Sequence, residues 1–274
     1  MTTVADVISV IERRFPPSLA EEWDAVGLSV GDPARAVERV HFAVDPTRAA
    51  AAEAVAAGAQ MLVTHHPLML RGVTSVAATT SKGSVVHALV EAGVALYTAH
   101  TNADAGEGGV CDALASAIGM RVDGPLVPHP DDAGIGTGRI GAVEATTLER
   151  LAGRLAEVLP ATAQGVLYAG DPGLPVRRVA LVGGAGDSFI DAAVAADVDV
   201  YITADLRHHP VLEARESASL RAGTPAFINV SHAASESLWL AGIADEVARE
   251  TGVAVHVSTL NTDPWTGRVS SPSI

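Results

Sequence analysis

Two adjacent histidines, His65 and His66, close the apolar run MLVTHHPLML. An imidazole at the end of a buried strand must be satisfied by hydrogen bonds or by a metal ion, because burying it bare is costly. Groups of the same kind recur downstream. AHTNAD carries His100 and Asp104, and SHAASE carries His232 and Glu236, each a His-x-x-x-carboxylate just past an apolar stretch. Within a helix, His232 and Glu236 stand four apart and so share one face, which lets both reach one metal centre. Adjacent side chains in extended backbone point to opposite sides, so His65 and His66 can share an ion only where the backbone turns between them. Two ions are the more natural arrangement. A pair of divalent ions about 3.5–4 Å apart needs terminal imidazoles and bridging carboxylate, and His65, His66, Asp104, His232 and Glu236 supply both. A histidine taken alone is more often a satisfied structural residue; the grouping carries the metal reading.

The elements that must position these groups can be read from periodicity. Short apolar runs predict strands near residues 40–44, 61–64, 94–98, 179–182, 200–203, 226–230 and 253–258, mostly separated by Ala-rich amphipathic stretches. Strands alternating with helices imply an α/β fold. The segment RVHFAVDPTRAAAAEAVAAGAQMLVT from Arg39 aligns without a gap on RVALVGGAGDSFIDAAVAADVDVYIT from Arg178, setting His65-His66 opposite Ala204-Asp205. GVALYTAHTNAD matches GTPAFINVSHAASE with one short indel. These repeats predict two related α/β lobes, residues 1–125 and 146–274. The Pro-, Gly- and Asp-rich stretch DGPLVPHPDDAGIGTGRIGAVE places a linker at residues 126–145. Ser231 is the predicted cap of a single helix, HAASESLWLAGIADEVARE. Ligands of open α/β sheets collect beyond the carboxyl ends of the strands, where the histidines and carboxylates fall.

Composition narrows the function classes. The 274 residues are 48% hydrophobic, enough for a substantial core without staples. One cysteine, Cys111, leaves no intramolecular disulfide, and MTTVADVISVIERRF lacks the order of a signal peptide. No apolar run approaches the roughly 18–20 residues that span a bilayer. A cytoplasmic protein without membrane association is expected. Eighteen basic against 32 acidic side chains give a formal charge of −14, which disfavours non-specific nucleic-acid binding while leaving room for a small phosphorylated ligand beside bound cations. GGAG at residues 183–186 fits either a phosphate cradle or a tight strand-to-helix turn. Cys111 is expected as a small buried apolar side chain, and Trp265 as a packing or subunit-contact residue.

EEWDAVGLSVGDP, VTHHPLM, AHTNADAGEGGVCDALA, VGGAG followed by VYITAD, NVSHAASE and STLNTDPW occur in this order over nearly the whole chain. Together they resemble the GTP cyclohydrolase I type 2 homolog family, the interacting-factor-three-like proteins. The resemblance implies a two-lobed α/β protomer in a ring-shaped homohexamer. It also implies two divalent ions per protomer, with His65, His66, Asp104, His232 and Glu236 as ligands. The short linker matches the family's form without an inserted middle domain. Two positions depart from the family pattern: Ala25 stands where Asn is frequent, and Glu107 where Pro often precedes Gly108-Gly109. Glu107 is a candidate general base or a charge favouring the next helix N-terminus. His209 and His100 are further candidates to move protons, with His100 alternatively orienting Asp104. The implied activity is a metal-dependent hydrolase acting on a small phosphorylated or heterocyclic substrate, with GTP ring opening suggested by the family name. A metal-handling or scaffold protein without turnover is the alternative, and an adaptor for protein partners a third. Three imidazoles and two carboxylates suit zinc, iron, manganese or cobalt.

Overall fold

The computed structural model describes residues 1–270, so the last four residues of the expected second lobe lie outside the described residues. Its chain forms two compact units, one of Met1–Gly109 with Trp239–Thr262 and the other of Val110–Leu238 with Asp263–Ile274. The first unit opens with helix α1 (Val4–Arg14), started by a capping box between Thr3 and Asp6. Strand β1 (Gly27–Val30) follows, then β2 (Arg39–Ala43), α2 (Arg48–Ala56), β3 (Met61–Thr64), α3 (Ser81–Ala92), β4 (Ala95–Thr98) and the short α4 (Thr101–Ala105). Thr47 and Thr80 cap α2 and α3, their hydroxyls accepting from the Ala50 and Gly83 amides. Strands β2, β3 and β4 pair in parallel, and β1 lies antiparallel beside β4. All four residues of β3 are buried, the pattern of a central parallel strand. Ala50, Ala54, Val85 and Leu89 of the two crossover helices cover Leu62 and Leu96.

The second unit contains α5 (Val110–Ala117), β5 (Arg121–Gly124), β6 (Val127–His129), β7 (Asp132–Thr137), β8 (Arg139–Thr147), α6 (Leu148–Val158) and β9 (Leu167–Ala169). It continues through β10 (Pro175–Ala185), α7 (Ile190–Ala195), β11 (Val200–Ala204), α8 (His208–Ser219), β12 (Ala226–Val230) and α9 (His232–Ser235). Its main sheet has the order β5-β8-β10-β11-β12-β9, with β10, β11 and β12 parallel. Leu114, Leu148, Leu151 and Leu155 cover one face, against Val179, Leu181, Ile202 and Ile228. Ile190 and Ala193 pack on the other, with Tyr201 and Phe227.

The chain then returns to the first unit as α10 (Trp239–Thr251) and β13 (Ala254–Val257). Strand β13 pairs in parallel with β2, giving the first sheet the order β1-β4-β3-β2-β13. Helix α10 buries Trp239, Leu240, Ile243, Ala244 and Val247, with Trp239 edge-on to Phe15 at 5.3 Å between ring centres.

The expected repeat has a counterpart in each unit, since β2-α2-β3-β4 and β10-α7-β11-β12 follow one order with parallel pairing. Three details differ from expectation. The strand predicted at 253–258 adds to the first sheet, not the second. Residues 126–145, read as a linker, form β6, β7 and most of β8. Small residues, Gly141, Ala142 and Ala145, blur the alternation along β8, and Gly138, at φ +71°, turns the chain between β7 and β8 as only glycine does easily. The helix predicted across residues 232–250 is two helices, α9 and α10. Ser235 and Ser237 hydroxyls donate to the carbonyls of His232 and Ala234, competing with helical amides and ending α9. Ser231 is the N-cap residue, but its hydroxyl bonds to Asp263 and not to the helix.

Candidate metal centre

In the first unit, β3 ends at Thr64, and the backbone turns immediately: the Thr64 hydroxyl donates to the His66 carbonyl at 2.8 Å. The two imidazoles consequently lie side by side, 5.0 Å between ring centres, where extended backbone would have separated them. The His100 ring lies 5.2 Å from His65 and 5.5 Å from His66. One ring nitrogen of each of the three falls within 4.8 Å of the others. Asp104, on α4, places Oδ1 3.7 Å from His65 Nε2.

Each ring is held by its Nδ1. His65 Nδ1 donates to the Ala99 carbonyl at 3.0 Å, His66 Nδ1 to Asp45 at 2.7 Å, and His100 Nδ1 to Asp24 at 2.8 Å. A carbonyl or carboxylate only accepts, so in the neutral ring the proton sits on Nδ1 and the lone pair on Nε2. Asp24 anchors more than His100. It also accepts from the Thr101 amide at 3.1 Å and hydroxyl at 2.5 Å, fixing the start of α4 and with it Asp104. Burial works against the Asp24 carboxylate, yet hydrogen bonds from His100 and Thr101 hold it well below the usual carboxylate range. The Ala25 amide donates to Asp24 Oδ1 at 2.7 Å.

The second unit has its own donor pair. His232 Nδ1 donates to Asp205 at 2.7 Å, and Nε2 lies 3.1 Å from Glu236 Oε1. Burial disfavours the charged imidazole, but Asp205 and Glu236 outweigh it and push His232 up to about 10. This is a strongly cation-favouring place, because two carboxylates converge on one ring. Asp205 adopts φ +55°, a left-handed conformation that Asp tolerates better than most residues and that aims its carboxylate at His232. Gly184, at φ +66°, runs directly beneath Glu236: a Cβ there would collide with Oε1 and approach His232 Nε2. The Gly184 amide donates to Ser235 Oγ at 2.9 Å. The glycine-rich turn thus makes room for the carboxylate.

His209 is exposed in the first turn of α8 with its ring 5.1 Å from His208, and Glu107 is exposed between α4 and α5. Cys111 is fully buried in α5, and Trp265 is exposed. Asp24, Asp45 and Asp205 went unrecognised as supports in the sequence. Two signals for them were present: Asp24 lies in the EEWDAVG motif, and Asp205 stands opposite His66 in the repeat.

Fold and site together define a two-unit α/β protein with histidine and carboxylate donors gathered past its parallel strands. A family model described as Duf34/NIF3 (NGG1p interacting factor 3) matches residues 2–264, and the chain belongs to this family. It is 49% identical to a Streptomyces coelicolor protein named GTP cyclohydrolase 1 type 2 homolog, over 99% of this chain and 96% of that one. A Mycobacterium tuberculosis protein of the same name is 37% identical, covering 96% of both chains. That alignment runs over 372 positions against the 274 residues here, so the mycobacterial relative carries residues this chain lacks. Among solved structures, a Bacillus cereus protein related to NIF3 superposes with a TM-score of 0.86 at 23% identity, covering 96% of this chain and 98% of that one. A Staphylococcus aureus protein gives 0.85 at 26%, with the same coverage. Among the described residues no helix is long and apolar enough to cross a membrane.

Proposed function

We propose that the chain is a metal-dependent hydrolase holding two divalent ions through His65, His66, Asp104, His232 and Glu236. The observation that carries this reading is the anchoring shared by four histidines. Nδ1 of His65, His66, His100 and His232 is held by a carbonyl or carboxylate, which orients Nε2 as the ligand atom, and the His232 Nε2 faces Glu236 Oε1. Such outer partners are the usual companions of metal-bound imidazole. The carboxylates beside these rings, Asp104 and Glu236, complete a donor set suited to zinc, iron, manganese or cobalt.

Bound divalent ions supply Lewis-acid polarisation and an activated water near neutral pH. The chain's own residues orient and move protons. Asp45 and Asp205 fix the His66 and His232 rings, and Asp24 fixes His100. His100, His209 and Glu107 are the candidate proton carriers. The substrate class is a small phosphorylated or heterocyclic molecule, and the name borne by the relatives makes GTP the first compound to assay. Assembly into a ring-shaped homohexamer belongs to the same proposal, and light scattering on the 27.9 kDa chain tests it.

The deciding experiment is elemental analysis of protein purified without chelator, beside His65→Ala and Glu236→Ala. About two equivalents per protomer, reduced in both variants, is the expected result, with turnover of GTP or another phosphorylated heterocycle by the loaded protein. Negligible metal that added zinc, iron, manganese or cobalt cannot restore would overturn the proposal. Full loading with no turnover across such compounds would transfer the site to metal handling.

A further inference from the structure

A second group of metal-ligating side chains lies at the edge of the first sheet, on residues the proposed hydrolase site does not use. His41 on β2 and His256 on β13 are register partners across the parallel pair, and their rings stack at 4.9 Å with 27° between planes. Glu53, on α2, reaches between them. Its Oε2 lies 2.9 Å from His41 Nε2, and its Oε1 lies 4.0 Å from His256 Nε2. One ligand atom from each of the three falls within 4.8 Å of the others. Ser258 Oγ donates to Glu53 Oε2 at 2.5 Å and steadies the carboxylate.

The fold itself does not require these groups. In the gapless repeat, Ala180 stands opposite His41 and Ala192 opposite Glu53, so the same β-α-β unit packs in the second lobe with two small apolar residues. His41 is fully buried, and its Nδ1 has no hydrogen-bond partner among the described residues.

We propose that His41, Glu53 and His256 form a separate binding site for a borderline divalent ion, zinc in particular. Two imidazoles and one carboxylate make a known zinc donor set, with ligand bonds of about 2.0–2.2 Å. His256 has the longest approach to make, and its side chain is 53% exposed, so a rotamer change can supply it. Water or a ligand from solution takes the remaining coordination position on that open side. Because Nδ1 of His41 has no acceptor, the site binds about 10–100-fold more weakly than one with full outer support. It is an exchangeable edge site, and occupation ties β13 to α2.

The test is equilibrium dialysis of the whole protein against zinc chloride, with bound zinc measured by elemental analysis in wild type, Glu53→Gln and His256→Ala. Both substituted side chains are partly exposed, so the fold is retained, and circular dichroism verifies it. Wild type is expected to bind one equivalent more than either variant. His65→Ala with Glu236→Ala should keep that equivalent, which separates this site from the hydrolase centre. Unchanged zinc stoichiometry and affinity in both Glu53→Gln and His256→Ala would overturn the proposal.

Discussion

At His66 the ring is turned by Asp45 Oδ1, while Asp45 Oδ2 accepts from the Thr262 hydroxyl at 2.5 Å. Asp205 serves His232 in the same manner in the other unit. Removing such an outer acceptor frees the ring to rotate and lets the proton choose either nitrogen. Asp45→Ala and Asp205→Ala are therefore expected to weaken metal binding by about 10–100-fold while leaving the helix signal unchanged. Competition with a chromophoric chelator measures this, and wild-type affinity in both variants would contradict the assignment. The sequence makes the histidines and acidic residues at the strand ends legible because each follows an apolar run. It hides their supports, since Asp45, Asp24 and Asp205 lie 21, 76 and 27 residues from the rings they hold. No periodicity links residues that far apart. Only the fold brings them together.

Elements with strong local signals were readable, and those whose shape depends on competition were not. The β3 run, buried at every position, and the α2 crossover follow from apolar pattern and a Thr cap. The break between α9 and α10 depends on serine hydroxyls competing for backbone carbonyls, which a helical hydropathy pattern does not register. Residues 126–145 look like a connection because Gly, Pro and Asp dominate, although the pairing of β8 with β10 and β5 makes strands of them. Helix α1 offers a test at this scale. The Thr3 amide and hydroxyl both donate to Asp6 Oδ2, and these bonds lower Asp6 below its ordinary 3.8. A carboxylate with a depressed folded-state value stabilises the native state fully above its unfolded value and loses that contribution as pH falls through the folded one. Asp6→Asn should thus lower the melting temperature at neutral pH, with the difference shrinking as pH drops below 3.8. A difference independent of pH would count against the capping box as its source.

The two-lobed α/β class was legible at the scale of the molecule from its repeat, but the partition of the chain was not. Each unit draws on two separated stretches, and the first is completed only by Trp239–Thr262. Hydropathy registers which residues are buried, not which sheet receives them, so β13 read naturally as part of the second lobe. A fragment ending at residue 125 lacks Trp239, Leu240, Ile243 and Val247, all buried in the intact molecule. Each is worth about 1.5–3 kcal/mol on burial, and together they rival the roughly 5–15 kcal/mol that holds a domain. Such a fragment should show no cooperative thermal transition by circular dichroism, and a sharp transition would refute the partition. The same arrangement also sets an order of birth. On the ribosome the second unit has all its strands once residue 230 has emerged, whereas the first, begun earlier, waits for β13 at Ala254–Val257. The nascent His65, His66 and His100 thus wait on an open-edged sheet while some 150 further residues are made, at about 5–20 residues per second. The sheet that starts first is completed last.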